Sequence, residues 1–530
     1  VVVVGSGASG VHFALSLLRR GRKVTLVDVG HEGKPPPLPE ATLGELKRKL
    51  DDPCAYFLGE AFQAVLLPGD GREYYGIPPS KGHVLATEDA TGIRSRGFAP
   101  LYSFARGGLS EAWTGGCYPF NDRDLRDFPF GYEALAPHYG EIARRIGITG
   151  ASDDLADHMP VHDHLQAPLD TDEHSQLLLD TYRRRRKRFR SGGWVMGRAR
   201  TAALRSDAGA RQGCAYLGRC LWGCPNGAFY TPAQTLEVCQ ADPDFTYMPG
   251  FLVQSFRSDD GGRIKALVAR RQSDGEETEV HLDRLVLAAG TLGSTRIVLQ
   301  SVRRQGGAAP RLTGLMDNRQ VLVPFVNLRM VGRPFQETTY QYHQLAMDTD
   351  TPHPEDGVFC LITTLKTALL HPIVQNLPFD LRTSLDITRS MHAALGLVNV
   401  NFPDRRREDC YIALGDDTGP DVLQVHYLPP PDEPDRLRRA LRRVRAALRA
   451  LGCVVPPGMA HVRPMGASVH YAGTLPMTAT PRPWTATAEC RSRDFPNLWL
   501  VDGSTLPFLP AKNVTFTLMA NASRVAAAEF

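Results

Sequence analysis

The sequence has no apolar run approaching the roughly 20 residues that a membrane-spanning helix needs, so a soluble protein with no membrane span is expected. It also lacks a cysteine framework. Ten cysteines are scattered over 530 residues, well short of a disulfide scaffold, and this favours a reducing, cytoplasmic setting. Neither sign of charge dominates: 61 Lys and Arg face 57 Asp and Glu, for a net charge of +4. Such a mild excess gives no argument for nucleic acid as a partner. The start, "VVVVGSGASG", shows no charged lead or signal-like segment. Four residues are short for a buried strand, so a few native residues are expected upstream of Val1. The length exceeds one ordinary core, and two lobes are expected.

The N-terminal stretch carries the first strong signal. Val1 to Val4 form an unbroken β-branched run, suited to a parallel strand buried on both faces. Gly5, Gly7 and Gly10 then give G-x-G-x-x-G. The first glycine permits a tight turn, the second lets backbone approach a pyrophosphate, and the third lets helix and strand pack closely. The spacing predicts a helix to about Arg20, with Gly21 just past its end, and a second strand, "KVTLVD", ending at Asp28. An acid at this distance holds a ribose hydroxyl and favours FAD or NAD over NADP. The position at the head of the chain favours FAD.

Further along, "FARGGLSEAWTGGCYPF" (104–120) is glycine-dense and lets backbone pass close to a flat ligand. "DHMPVHDH" places His158, His162 and His164 among acids. It imitates a metal site without a second ligand group and reads as a solvated loop, with no metal. "YRRRRKRFR" (182–190) is expected to end a helix that begins near Asp172, where cations suit the C-terminus. A solvated face is the first reading of it, and contact with an anionic substrate or partner the second. Cys214, Cys220 and Cys224 do not match zinc spacings. They read as buried thiols in a compact loop, with an iron–sulfur or zinc role as the alternative.

"FLVQSFRSDDGGRIKALVARR" predicts two strands around an Asp-Gly-Gly turn. In "AAGTLGS" (288–294) a strand gives way to a helix expected from about Ser294, a second glycine-rich approach to the dinucleotide at Gly290. Alternating segments between 315 and 427 predict an antiparallel sheet in a separate lobe. In residues 432–452, Leu437, Leu441, Val444, Leu448 and Leu451 fall at helical spacing and read as core packing, with arginines facing water. At the end, "LWLVD" predicts a strand closing at Asp502. A Pro-rich turn and Asn513 then lead into a helix from about Thr515, whose free N–H groups suit negative charge on a ligand.

The chain resembles the glucose–methanol–choline (GMC) family of FAD-dependent oxidoreductases. The resemblance rests on "GSGASG…VD", "GGLSEAWTGG", "LAAGTLGSTRIVLQS", and the pair "HYAGTLPM" with "VDGSTLPFLPAKNVTFTLMA". Residues 126–205 and 310–460 match only in general plan. The resemblance implies an α/β fold: an N-terminal Rossmann-like FAD-binding lobe interleaved with a substrate lobe built on an antiparallel sheet with helices. The FAD-binding domain is expected at 1–125, 206–309 and 485–530, and the substrate-binding domain at 126–205 and 310–484. It further implies cofactor contacts at Gly107, Gly108, Ser110 and Gly290, with Asp502 and Gly503 by the phosphate or ribityl region. Asn513, Val514 and Thr515 would face the flavin pyrimidine edge, and Val253 the adenine end.

By the same resemblance His470, in H-x-x-G-T, and Asn513 form the catalytic pair. His470, with an ordinary imidazole pKa near 6.5, would take the hydroxyl proton, and Asn513 would orient the substrate oxygen. Gly473 and Thr474 read as backbone kept small for flavin and substrate. Some members attach FAD through a histidine in the loop matching 107–113. Glu111, Ala112 and Trp113 stand there, which implies noncovalent FAD. The Cys-rich loop resembles members that pass electrons to partners rather than oxygen, without assigning an acceptor. The expected activity is oxidation of a small-molecule alcohol (sugar, glycoside or hydroxylated secondary metabolite) with oxygen or another acceptor. The alternative is a lyase with redox-idle FAD.

Overall fold

The computed structural model describes all residues except 34–38, 68–72, 74, 87–91, 352 and 416–421. Two sheets organise it. The first is a five-stranded parallel sheet that gathers strands from both ends of the chain. Val2–Val4 sits in the middle, between Val24–Val27 and Leu285–Leu287. Phe245–Met248 and Leu498–Leu500 form its edges. The β-branched and leucine runs are buried on both faces, because helices cover each side. Ala8–Leu18 packs against the C-terminal helix Thr515–Glu529, while Gly290–Arg304 packs on the strand Phe251–Ser258. The latter strand forms the expected hairpin with Ile264–Arg271.

The second sheet is antiparallel. Its main path runs Cys453–Val454, Gln320–Asn327, Leu395–Asn401, Phe359–Thr364, Leu345–Thr349 and Trp194–Arg198. Its strands alternate, as period-2 side chains require. Val321, Val323, Val398 and Val400 point into a core closed by the helix Glu433–Ala450, whose Leu437, Leu441, Val444 and Leu448 form the anticipated stripe. The opposite face looks toward the parallel sheet. Short pairings stitch the halves together: Met316–Asp317 with Tyr471–Ala472, and Asp404–Arg405 with Phe508–Leu509.

Three readings need correction. The helix expected from Ser294 begins at Gly290. Ser294 lies inside the first turns, where its hydroxyl donates to Asp502 and accepts the Ala289 N–H. The basic run does not simply end a helix. Asp172 caps Glu173–Arg184 as expected, but the chain breaks at Arg185 and resumes as Arg186–Ser191. "DHMPVHDH" is not a solvated loop. His158 and His162 are buried, the first against Asp348 and the second against the Phe516 ring, and only His164 is exposed. Among the described residues no group of three or more His, Cys, Asp or Glu is placed to hold a metal, and no helix is long and apolar enough to cross a membrane.

Candidate active site

The dinucleotide end of the site is built from backbone. A Cβ on Gly5, whose φ is +99°, would fall 2.7 Å from the Ala288 carbonyl oxygen, and one on Gly10 would fall 2.0 Å from that of Gly5. Strand, turn and helix therefore meet at a distance only glycine allows. Gly7 differs: a Cβ there would meet nothing within 4 Å. The space above it is a cradle open at the N-terminus of Ala8–Leu18, where backbone N–H groups suit an anion such as a pyrophosphate. Gly107 stands behind this cradle and donates its N–H to Ser6 Oγ (2.9 Å).

One cavity of about 760 Å³ takes in Gly5, Gly7, Asp28, Gly108, Ser110 and Val253. Gly290, Asp502, Gly503, Asn513, Val514 and Thr515 line it as well, as does His470. Gly10 and Gly107 stay outside and support its wall. Asp28 sits just past the second strand. Burial pushes its carboxyl up to about 6, although Ser6 and Tyr247 donate hydrogen bonds to it. Asp502 is wholly buried and accepts from Ser294 Oγ and from both the N–H and the hydroxyl of Ser504. Thr515 opens the C-terminal helix with no side-chain cap at Val514, leaving first-turn N–H groups for whatever fills the cleft. An open pyrophosphate cradle, an acid at the second strand end and an uncapped helix terminus together fit FAD.

His470 and Asn513 meet at this helix end. Asn513 Nδ2 lies 3.3 Å from His470 Nε2, and Asn513 Oδ1 is buried without a partner. The imidazole is held from behind by Asn318, whose Oδ1 is 2.9 Å from Nδ1. The roles can be worked out from the network. Asn318 Nδ2 donates to the carbonyls of Phe402 (2.8 Å) and Pro510 (3.0 Å), so its oxygen must be the atom facing the ring. That oxygen can only accept, so Nδ1 carries the proton and Nε2 presents its lone pair to the cavity. Burial, with a smaller contribution from Arg463, pushes the imidazole down to about 4. The ordinary value near 6.5 does not apply here, and the ring stays neutral over the physiological range.

The backbone of His470 is clamped by the neighbouring residue, Asp317. This carboxyl accepts from Gly466 N–H (2.6 Å) and from the Ser468 hydroxyl, which itself accepts the His470 N–H (2.9 Å). Burial pushes Asp317 up to about 7. Val469 takes φ +64° inside this turn, an unfavourable region for a β-branched residue that costs on the order of 1–3 kcal/mol. The clamp over-determines the turn and aims His470. Gly473 is small for another reason than expected: a Cβ there would lie 1.9 Å from the Gly314 carbonyl oxygen. Thr474 pairs with Thr295 (2.9 Å). Neither residue lines the cavity.

The far wall of the cavity is the antiparallel sheet, contributing Gln320, Leu322, Leu361, Leu397 and Asn399, with His343 beside it. Sequence reasoning missed these, along with Asn318, Asp317 and Ser468. The signal available was "LVNVN", two amides on one face of an apolar strand. The cysteine trio lies elsewhere. Cys214, Cys220 and Cys224 are free and pack around Trp222 and Tyr56. Burial pushes Cys214 up to about 11 and Cys220 to about 12, which favours the protonated thiol in both.

Residues 406–522, which contain His470 and Asn513, match the C-terminal family described as GMC oxidoreductase. Over its whole length the chain is 23% identical to paromamine 6'-oxidase of Streptomyces fradiae, covering 90% of that protein. It is 25% identical to 6'''-hydroxyparomomycin C oxidase of Streptomyces lividus, again covering 90%. Among solved structures the fold is similar to pyridoxine 4-oxidase from Mesorbium loti (TM-score 0.61, 17% identity, 100% of this chain and 98% of that one). It is also similar to an FAD-dependent oxidoreductase from Chaetomium thermophilum (TM-score 0.58, 14% identity, 99% and 98%). The C-terminal match and the full-length likeness to two oxidases make the chain similar to the GMC oxidoreductases and support an enzyme acting on CH–OH groups.

Proposed function

We propose that the chain oxidises a hydroxyl of a small hydroxylated ring compound, such as a sugar, glycoside or secondary metabolite, using noncovalently bound FAD. The observation that carries this reading is the His470–Asn513 pair, with Nδ1 of His470 tied to Asn318. Likeness to two oxidases named for aminoglycosides supports the substrate class. FAD, when bound, supplies the hydride acceptor. Gly5, Gly7 and the start of Ala8–Leu18 would hold its pyrophosphate, Asp28 its adenosine ribose, and Val253 its adenine. Asp502 is a carboxylate already engaged by two serines, which suits a ribityl hydroxyl better than a like-charged phosphate. The backbone of Gly107, Gly108, Ser110, Gly290 and Gly503 would leave room for the cofactor, and Asn513 to Thr515 would face its pyrimidine edge. Residues 1–125, 206–309 and 485–530 would form the FAD-binding domain, and 126–205 with 310–484 the substrate-binding domain. All five parallel strands lie in the first set.

In this reading His470 Nε2 accepts the substrate hydroxyl proton. Asn513 donates an amide N–H to the same oxygen and holds it in line. The depressed imidazole pKa keeps Nε2 free to act as a base down to about pH 4. The positive end of Thr515–Glu529 stabilises negative charge that develops beside it.

The test is His470→Ala. FAD content should be unchanged, and anaerobic bleaching of the flavin by an alcohol substrate should slow by roughly 100-fold or more. Bleaching at the wild-type rate would remove His470 from the role. Substrate conversion without any bleaching in the wild-type protein would favour the lyase. Admission of air after bleaching separates oxygen from another electron acceptor, and acid precipitation, which releases noncovalent FAD, tests the mode of attachment.

A further inference from the structure

Two amides of the antiparallel sheet line the cavity, Gln320 and Asn399, and they differ in how they are engaged. Gln320 and Asn401 stand opposite each other in register and satisfy one another: Gln320 Nε2 donates to Asn401 Oδ1 (2.8 Å). Arg463 Nη1 donates to Gln320 Oε1 (2.6 Å), and Asn401 Nδ2 reaches the Phe359 carbonyl (3.3 Å). Asn399, two residues along the same strand face, has no such arrangement. Its Oδ1 is buried with no hydrogen-bond partner. Its register neighbours are Leu322 on one side and Leu361 on the other, with Leu397 next on its own strand face. All three leucines and Asn399 line the cavity that holds His470 and Asn513.

An amide alone in an apolar wall is costly unless a ligand completes it. We infer that Asn399 is the substrate-anchoring side chain, and that it takes a second, neutral hydroxyl of a polyhydroxylated ring while another hydroxyl of that ring faces His470. A carboxamide offers one acceptor and two donors, and a hydroxyl can both give and take a hydrogen bond, so the two are matched. The leucines around it suit the C–H faces of such a ring. The ionisable groups facing this end favour an uncharged substrate. His343 and His470 are both held neutral by burial, near pKa 4, and Arg463 is already paired with Glu73 and Gln320. This inference rests on the reading of His470 as the reacting end of the chamber.

The experiment titrates the FAD-loaded protein anaerobically with methyl α-D-glucopyranoside, paromamine and 1-hexanol, following the flavin difference spectrum. In Asn399→Leu, which continues the leucine wall, binding of the two polyols should weaken about tenfold or more, while FAD content and 1-hexanol binding stay unchanged. In Asn399→Asp the preference should move toward paromamine, whose ammonium groups a carboxylate attracts. Equal affinities in wild type and Asn399→Leu would overturn the inference. So would an equal loss for 1-hexanol, or failure of the wild type to bind either polyol. A tenfold loss with no flavin bleaching in any protein would uphold the anchor and sink the oxidation reading instead.

Discussion

The two sheets make ligand surfaces in different ways. The parallel sheet uses its edge-on end: turns after the strands, glycines without Cβ atoms, and N–H groups at helix starts. The antiparallel sheet uses its broad face, where alternate side chains from Gln320–Asn327, Phe359–Thr364 and Leu395–Asn401 form a wall. The first surface depends on where backbone can go, and the second on which side chains happen to stand in register. A backbone surface tolerates almost no added atom, whereas a side-chain surface can be redrawn residue by residue with the sheet intact. On the proposed function, one end of the cavity is built for a fixed cofactor and the other is open to variation in substrate.

The sharpest way to break this contrast is Gly10→Val. Its Cβ would sit 2.0 Å from the Gly5 carbonyl oxygen, and purified protein should contain no FAD, read from its visible spectrum. A yellow, stoichiometrically loaded variant would show that the cradle is not backbone-limited. Asn318→Ala comes next. With the Nδ1 partner gone, flavin reduction should slow on the order of 10- to 100-fold, within the usual size of acid–base effects, while FAD stays bound. Asn318→Asp should partly rescue the rate and move the acid limb of its pH profile upward from about 4, because a carboxylate at Nδ1 favours imidazolium. An unmoved limb would mean that residue 318 acts only on packing.

A smaller effect concerns acid. His138, His162, His174, His343 and His470 are all pushed down to about 4 by burial. The unfolded chain takes up protons below about 6.5 that the folded chain refuses, so stability is full above that value and falls as pH drops toward 4. Each fully buried ring contributes up to about 1.4 kcal/mol per pH unit. Asp28 and Asp317, raised to about 6 and 7, act in the opposite direction but are fewer. Thermal midpoints measured from pH 7 to 4.5 should therefore decline, and a flat profile would contradict the burial of these rings. The smallest effect is at Asp435, whose partner Arg438 lies on the solvent side of its helix. Asp435→Ala should shift stability by no more than about 1 kcal/mol.

The parallel sheet's contribution was legible because glycine spacing and a terminal acid are direct statements about backbone. Gly5, Gly7, Gly10 and Asp28 could be placed before any fold was known. His470 and Asn513 were legible through family resemblance, since nothing local marks a lone histidine. Ser294 stands inside its helix rather than at the expected start, and its partner, Asp502, is 208 residues away. His158 misled because its partner Asp348 is 190 residues distant, so acidic neighbours in sequence suggested water that is not there. Asn399 has no sequence signature beyond an amide in a strand, and Asn318, in the short link between two strands, has none. What distinguishes them from Gln320 and Asn401 is only which neighbours are already engaged, a property of three-dimensional register.

The parallel sheet takes its last strand from Leu498–Leu500, and the helix against Ala8–Leu18 is Thr515–Glu529. This ordering has a consequence for biogenesis. A ribosome adds roughly 5–20 residues per second, so the first strand and its glycine turn wait from tens of seconds to nearly two minutes for the pieces that close their cleft. Throughout that wait the nascent chain has half a nucleotide fold and no lid. The cleft is accordingly enclosed only once Thr515–Glu529 has been synthesised and has docked on Ala8–Leu18.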